Sequence, residues 1–148
     1  MPAAKIKIRR ACPADAQRIA ELSGQLGYPV SSKEMASRLK KVLAAADGAC
    51  FVADADGRSG VSGWIHVSVT PLLEVERRAE VNGLVVDEQA RCCGAGWLLL
   101  SAAEKWARKM GCRGMSVRSN VLRERAHGFY HRHGYEHYKT QKAFRKTL

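Results

Sequence analysis

Nowhere in this chain do more than a few apolar residues run together, so no segment has the length needed to cross a bilayer as a helix. The five cysteines (Cys12, Cys50, Cys92, Cys93 and Cys112) are odd in number and form no Cys-x-x-Cys pair. That pattern suggests neither a disulfide framework nor a zinc ribbon, and reduced thiols fit best. The opening "MPAAKIKIRRACP" is basic but lacks the apolar centre of a signal peptide, so the expected location is cytoplasmic. Internal repeats, low-complexity stretches and interdomain linkers are also missing, and 148 residues are expected to fold as one domain, 1–148. Acidic residues are scarce, 14 against 25 lysines and arginines, which leaves a net charge of +11. Such a charge attracts a polyanion, either nucleic acid or a phosphate-rich cofactor, and it equally describes a soluble basic surface. The excess lies late: from Cys112 onward only Glu124 and Glu136 oppose nine arginines and lysines. Glu74, Glu76 and Glu80 gather earlier.

What is present reads as alternating elements. "KIKIRR" alternates like a strand, and Pro13 then suits the first position of a helix carrying Ile19, Leu22 and Leu26 and ending near Gly27. Ser31 followed by Glu34 is a capping-box pattern that opens a second helix. "ACFVADADGRSGVSGWIHVSV" reads as two strands around an Asp56-Gly57 turn. "LLEVERR" connects to "AEVNGLVV", whose continuously apolar end suits a central strand. Leu99, Ala103, Trp106 and Met110 then make one helix face, which Gly111 stops. "CRGMSVRS" is a strand, "RERAHGFYHRH" a short helix ended by Gly134, and "YEHYKTQKAFRKTL" is expected as a last strand. The order β-α-α-β-β-β-α-β-α-β predicts an α/β fold, a mixed sheet with helices on its faces.

Gly94 and Gly96 stand at the mouth of the longest helix, immediately behind the apolar strand. Glycine weakens a helix interior, so here it is expected to serve a close approach. A helix N-terminus offers amides without internal partners and a partial positive charge, and Arg91 in "RCCGAG" adds a cation. This is an anion site. It lacks the third glycine of a dinucleotide fingerprint and the Gly-Lys-Ser/Thr of a Walker loop.

Taken together, "VVDEQARCCGAGWLLLSAAEKWARKMGC", "SVRSN" and "AHGFYHRHGYE" resemble the GCN5-related N-acetyltransferase (GNAT) superfamily. In that family a strand runs into Arg/Gln-x-x-Gly-x-Gly/Ala and a long helix, followed by a strand and a helix with a Phe-Tyr pair. The resemblance implies acetyl-CoA as cosubstrate, its diphosphate held by the amides of Arg91, Cys92, Cys93, Gly94, Ala95 and Gly96. Leu84, Val85 and Val86 would pair with the pantetheine arm where the central strands splay, with a main-chain N–H near Val85 for the oxyanion. Asn120 would touch the cofactor, Tyr130 would face its sulfur as proton or hydrogen-bond donor, and Glu80 would act as general base directly or through water. Cys92, Cys93 and Trp97 depart from the family's usual residues there.

Several residues carry a plainer reading as well. Glu80 reads equally as a strand carboxylate that only attracts a cation or pairs with Arg77 or Arg78, and Tyr130 as a core tyrosine. Trp64 and His66 belong to the core or to an acceptor pocket. His127 and His131, four apart, lack the glutamate of a zinc-protease helix, and no metal is expected. The acidic stretch 74–80 and the opening near Tyr28 point to a small cationic amine, with aminoglycosides, polyamines, amino acids and protein amines all open. Trp97 and the terminal strand suggest a homodimer. The alternative function is a basic nucleic-acid-binding protein, or one that binds acetyl-CoA without catalysis. No helix-turn-helix, zinc finger or RNA-binding aromatic motif supports nucleic acid.

Overall fold

The computed structural model describes residues 5–55, 60–91 and 93–148, so the Asp56-Gly57 turn and Cys92 lie outside the described residues. The chain divides into two compact units, Met1–Val117 and Arg118–Leu148.

The larger unit is built on a five-stranded sheet in the order β1 (Ile6–Arg10), β2 (Gly48–Ala55), β3 (Val61–Val69), β4 (Arg78–Val86), β5 (Gly114–Val117). The first four strands pair antiparallel, and β4 pairs parallel with β5. Between β1 and β2 come α1 (Ala16–Leu26) and α2 (Ser32–Ala44), and α3 (Ala95–Lys109) crosses from β4 to β5. The register sets Val52, Trp64 and Val85 in one cross-strand row, and these three join Ile19 and Leu22 of α1 and Leu39 of α2 in one core. The neighbouring row, Ala53, Gly63 and Val86, faces α3, with Leu99 against Gly63.

Local chemistry explains the element ends. Ser31 accepts the Glu34 N–H at 3.1 Å, as the capping pattern requires. Gly27 ends α1 in the left-handed conformation at φ 100°, and Gly111 follows α3 in the same way at φ 79°. α3 buries Ala95, Leu99, Leu100, Ala103, Trp106 and Ala107, the expected face and its flank. The connection between β3 and β4 forms bends, and Leu73 and Glu74 are exposed. Asp15 does more than open a helix. Its carboxylate takes both terminal nitrogens of Arg9 at 2.8 and 2.9 Å and the Cys12 N–H at 2.8 Å, at 7% exposure. Arg9 also reaches Asp54 at 3.2 Å, tying β1, β2 and the start of α1. The guanidinium holds the Asp15 carboxyl below the usual range despite burial.

The smaller unit contains α4 (Glu124–Arg132), closed by Gly134 at φ 87°. The terminal strand expected over 135–148 does not form. Residues 136–148 carry no ladder and are all exposed. The segment's alternation is broken: Tyr138, Phe144 and Leu148 share their parity with Lys142 and Lys146, so neither face is apolar enough to dock.

Candidate functional site

The site begins with an irregularity in β4. His66 pairs with Gly83 and Val67 with Val81, so Asn82 is an extra residue, a β-bulge. The ladder between β4 and β5 covers only Arg78 to Val81 against Gly114 to Val117. β4 then runs on through Val86 with no β5 partner, which leaves one edge of its main chain open. Alternation decides which groups face that edge. Asp87 donates its N–H to Ser62 O at 2.7 Å, and the Val85 carbonyl lies 2.8 Å from where a Gly63 Cβ would stand. Val85 therefore turns its main chain toward β3, and Leu84 and Val86 turn theirs outward. The outward amides are thus those of Leu84 and Val86, on either side of Val85.

β4 leads into a short turn, Glu88–Ala90, and then into α3. The Asp87 carboxylate caps this turn by accepting the Gln89 N–H at 3.1 Å. That bond and the Arg18 guanidinium hold its carboxyl below the ordinary value. Arg91 is exposed, and the Cys93 thiol donates to the Ala90 carbonyl at 2.6 Å. Gly94 is the N-cap residue at φ 86°, with nothing within 4 Å of the place a Cβ would occupy. Glycine is favoured there by the left-handed backbone conformation and not by crowding, since the space beside it is open. The helix ladder starts with Leu98 N–H to Gly94 O at 3.0 Å, and the amides of Ala95 and Gly96 precede it. Among the described residues, the sequence-predicted 84, 85, 86, 91, 93, 94, 95 and 96 thus lie along one edge and the helix mouth that follows it. Cys92 lies outside the described residues.

On the face of the sheet that carries Trp64, the register sets Glu80 between Ser68 of β3 and Ser116 of β5. Asn82 donates to Ser68 Oγ at 2.7 Å, which pins the bulge. His66 is half-buried, and desolvation lowers its pKa, so it stays neutral near pH 7. Trp64 is buried, and its indole N–H finds no acceptor among the described residues. A separate groove of about 410 Å³, between β1–β2 and α3, is lined by none of these residues.

In the smaller unit, Asn120 is exposed and organises the entry to α4. Its Oδ1 accepts the Leu122 N–H at 3.0 Å, and its carbonyl accepts from Arg123 N–H at 2.9 Å and lies 2.9 Å from His127 Nε2. With a carbonyl as its partner, that His127 nitrogen carries the proton. No group of three or more metal-binding side chains occurs among the described residues. Tyr130 packs edge-on against Phe129 and Tyr135 at centroid distances of 5.3 and 5.7 Å. Burial pushes its phenol up to about 12.

Residues 16–135 match the model of the acetyltransferase (GNAT) family. The chain belongs to that family. This acetyltransferase is 31% identical over 144 residues to an aminoglycoside N(6')-acetyltransferase type 1 of Stenotrophomonas maltophilia, covering 95% of this chain and 93% of the relative. Its fold matches aminoglycoside N-acetyltransferase AAC(6')-Iy in complex with CoA at a TM-score of 0.87, with 20% identity over 99% of this chain and 98% of the other. It also matches AAC(6')-Ih of Acinetobacter baumannii at a TM-score of 0.85, with 15% identity over 97% and 99%. Sequence reasoning missed Arg18 and Gln25 of α1, which meet the turn after β4 from more than sixty residues away. Only a contact map could have revealed them.

Proposed function

We propose that this GNAT enzyme transfers the acetyl group of acetyl-CoA to a primary amine of a small polycationic acceptor of the aminoglycoside kind. The observation that carries the reading is the open edge of β4 leading directly to the α3 N-terminus. The residues suit the cofactor. Outward main-chain groups of Leu84 and Val86 match an amide-bearing arm, and the amides around Gly94 with exposed Arg91 match a diphosphate. Bound acetyl-CoA supplies the activated acyl group. Glu80, on the strand that carries the bulge, takes the acceptor's ammonium proton, and neutral His66, Ser68 and Asn82 offer it a polar floor. Exposed Glu74 and Glu76 draw a cation toward that floor.

Tyr130 is a donor in this reading. With its pKa pushed up to about 12 it is protonated at neutral pH. Complete transfer to a thiolate of pKa about 8.5 would be uphill on the order of 5 kcal/mol, so its part is a hydrogen bond to the sulfur. Asn120 contributes through the turn that leads to α4. A cytoplasmic homodimer that buries Trp97, 40% exposed in the single chain, completes the proposal.

Thiol release measured over a panel of aminoglycosides, polyamines, amino acids and peptides tests the acceptor, with aminoglycosides expected to turn over fastest. Thermal shift with acetyl-CoA and with duplex DNA tests the class. Stabilisation by DNA alone, with no amine turned over, would replace this reading with nucleic-acid binding.

A further inference from the structure

The turn after β4 is exposed at Glu88 and Gln89, yet it is anchored from α1 by two side chains. Arg18 projects across the end of the sheet. Its Nε donates to the Val61 carbonyl at 2.8 Å, its Nη1 to Glu21 at 3.1 Å, and its Nη2 pairs closely with Asp87. Two turns further along the same helix face, Gln25 works in both directions. Its Nε2 donates to Asp87 Oδ1 at 3.4 Å, and its Oε1 accepts the Glu88 N–H at 3.1 Å. Asp87 relays these contacts inward, through its carboxylate to Gln89 N–H and through its carbonyl to Ala90 N–H at 2.9 Å. Ala90 in turn accepts from the Cys93 thiol, one residue before the helix cap. A continuous chain of bonds therefore runs from α1 to the mouth of α3.

We propose that Arg18 and Gln25 are positioning residues for the diphosphate-binding turn, holding residues 87–90 so that the amides ahead of α3 are presented in their binding arrangement before the cofactor arrives. The inference rests on the cofactor assignment above. Its physical basis is preorganisation: an exposed turn ordered only on binding loses affinity, whereas one already pinned does not. Arg18 suits the role because one planar group reaches both a strand carbonyl and a carboxylate, which lysine does not reproduce. The same helix end also sets the loop near Tyr28, since Ser23 Oγ donates to Tyr28 O at 2.7 Å and Tyr28 N–H to Ser23 O at 2.9 Å.

The test is calorimetric titration of coenzyme A into the full-length protein, alongside KM for acetyl-CoA and kcat. Arg18→Gln and Asp87→Asn are each expected to raise the coenzyme A Kd about tenfold, with kcat at saturation within about twofold. The double variant is expected to be no weaker than either single one, the signature of one shared contact. Arg18→Lys should recover part of the loss. Should those variants not fold, exposed Gln25→Ala decides the matter, with Kd raised about threefold. Wild-type affinity in these variants, additive losses in the double one, or a fall in kcat with Kd unchanged would overturn the inference. A wild-type protein that binds no coenzyme A would instead remove the cofactor assignment on which it stands.

Discussion

Replacing Gly63 by alanine places a methyl group where the sheet has no room. Its Cβ would stand 2.8 Å from the Val85 carbonyl oxygen, 3.1 Å from Leu99 Cδ1 and 3.3 Å from Val86 Cγ2. The nearest atom is main chain in a paired strand, and Leu99 is fully buried, so neither can swing aside. Overpacking of this kind costs roughly 1–3 kcal/mol, and a backbone obstacle puts it at the upper end. Reduced freedom of the unfolded chain returns about 0.4–1 kcal/mol, leaving a net loss of roughly 2 kcal/mol. For a chain of this size that lowers Tm by roughly 4–8 °C. Urea unfolding followed by circular dichroism reads the loss directly. Gly48→Ala is the control, because its Cβ would meet Val67 O at 3.6 Å and Ser68 Cβ at 3.8 Å, ordinary contact, and its stability should hold or rise slightly. A Gly63→Ala protein as stable as wild type, or a Gly48→Ala protein that loses more, would refute the reasoning. Because the displaced atoms belong to Val85 and Val86, KM for acetyl-CoA should rise with the loss of stability.

Arg9→Gln leaves the Asp15 carboxylate buried without its cation and should cost about 3 kcal/mol near pH 7. Asp15 is held below its ordinary value, so its stabilisation is full above about pH 4 and disappears as pH falls through the folded value. The gap between wild type and variant in urea unfolding should therefore close in acid, and a constant gap from pH 7 to pH 2 would contradict the pairing. Tyr130→Phe should reduce kcat by about tenfold to a hundredfold while coenzyme A affinity changes little. With the phenol at about 12, the wild-type rate should show no decline from Tyr130 ionisation below about pH 10. Glu80→Gln should lower kcat/KM for the amine by about a hundredfold, read by thiol release, and an unchanged value would take Glu80 out of the proton transfer.

Much of the architecture was legible because the signals are local. Ser31 with Glu34, Gly27, Gly111 and the α3 face act within one or two helical turns, and the three long helices stand where their own residues place them. Features decided by distant partners were not legible. Nothing in "AEVNGLVV" announces that Asn82 is the extra residue, since the slip is defined by β3. Arg18 and Asp87 are ordinary charged residues until the fold joins them, as are Arg9 and Asp54. Gly94 was read as making room for a ligand, and the structure adds its left-handed backbone. The terminal segment misled because aromatic and apolar residues suggested a strand, while the interleaved lysines and arginines leave it without a dockable face.

The thiols are distributed unevenly across the described residues. Cys12 and Cys93 are exposed, while Cys50 is buried in the core with Ile19, Leu22 and Leu39, and its pKa is pushed up to about 12 by loss of solvent. An alkylating reagent therefore modifies the first two at once and reaches Cys50 only when the sheet parts from α1 and α2. Cys50 is thus a built-in clock for opening of the molecule. Its labelling rate, compared with and without cosubstrate, would report how tightly the two sides of the sheet are kept together during turnover.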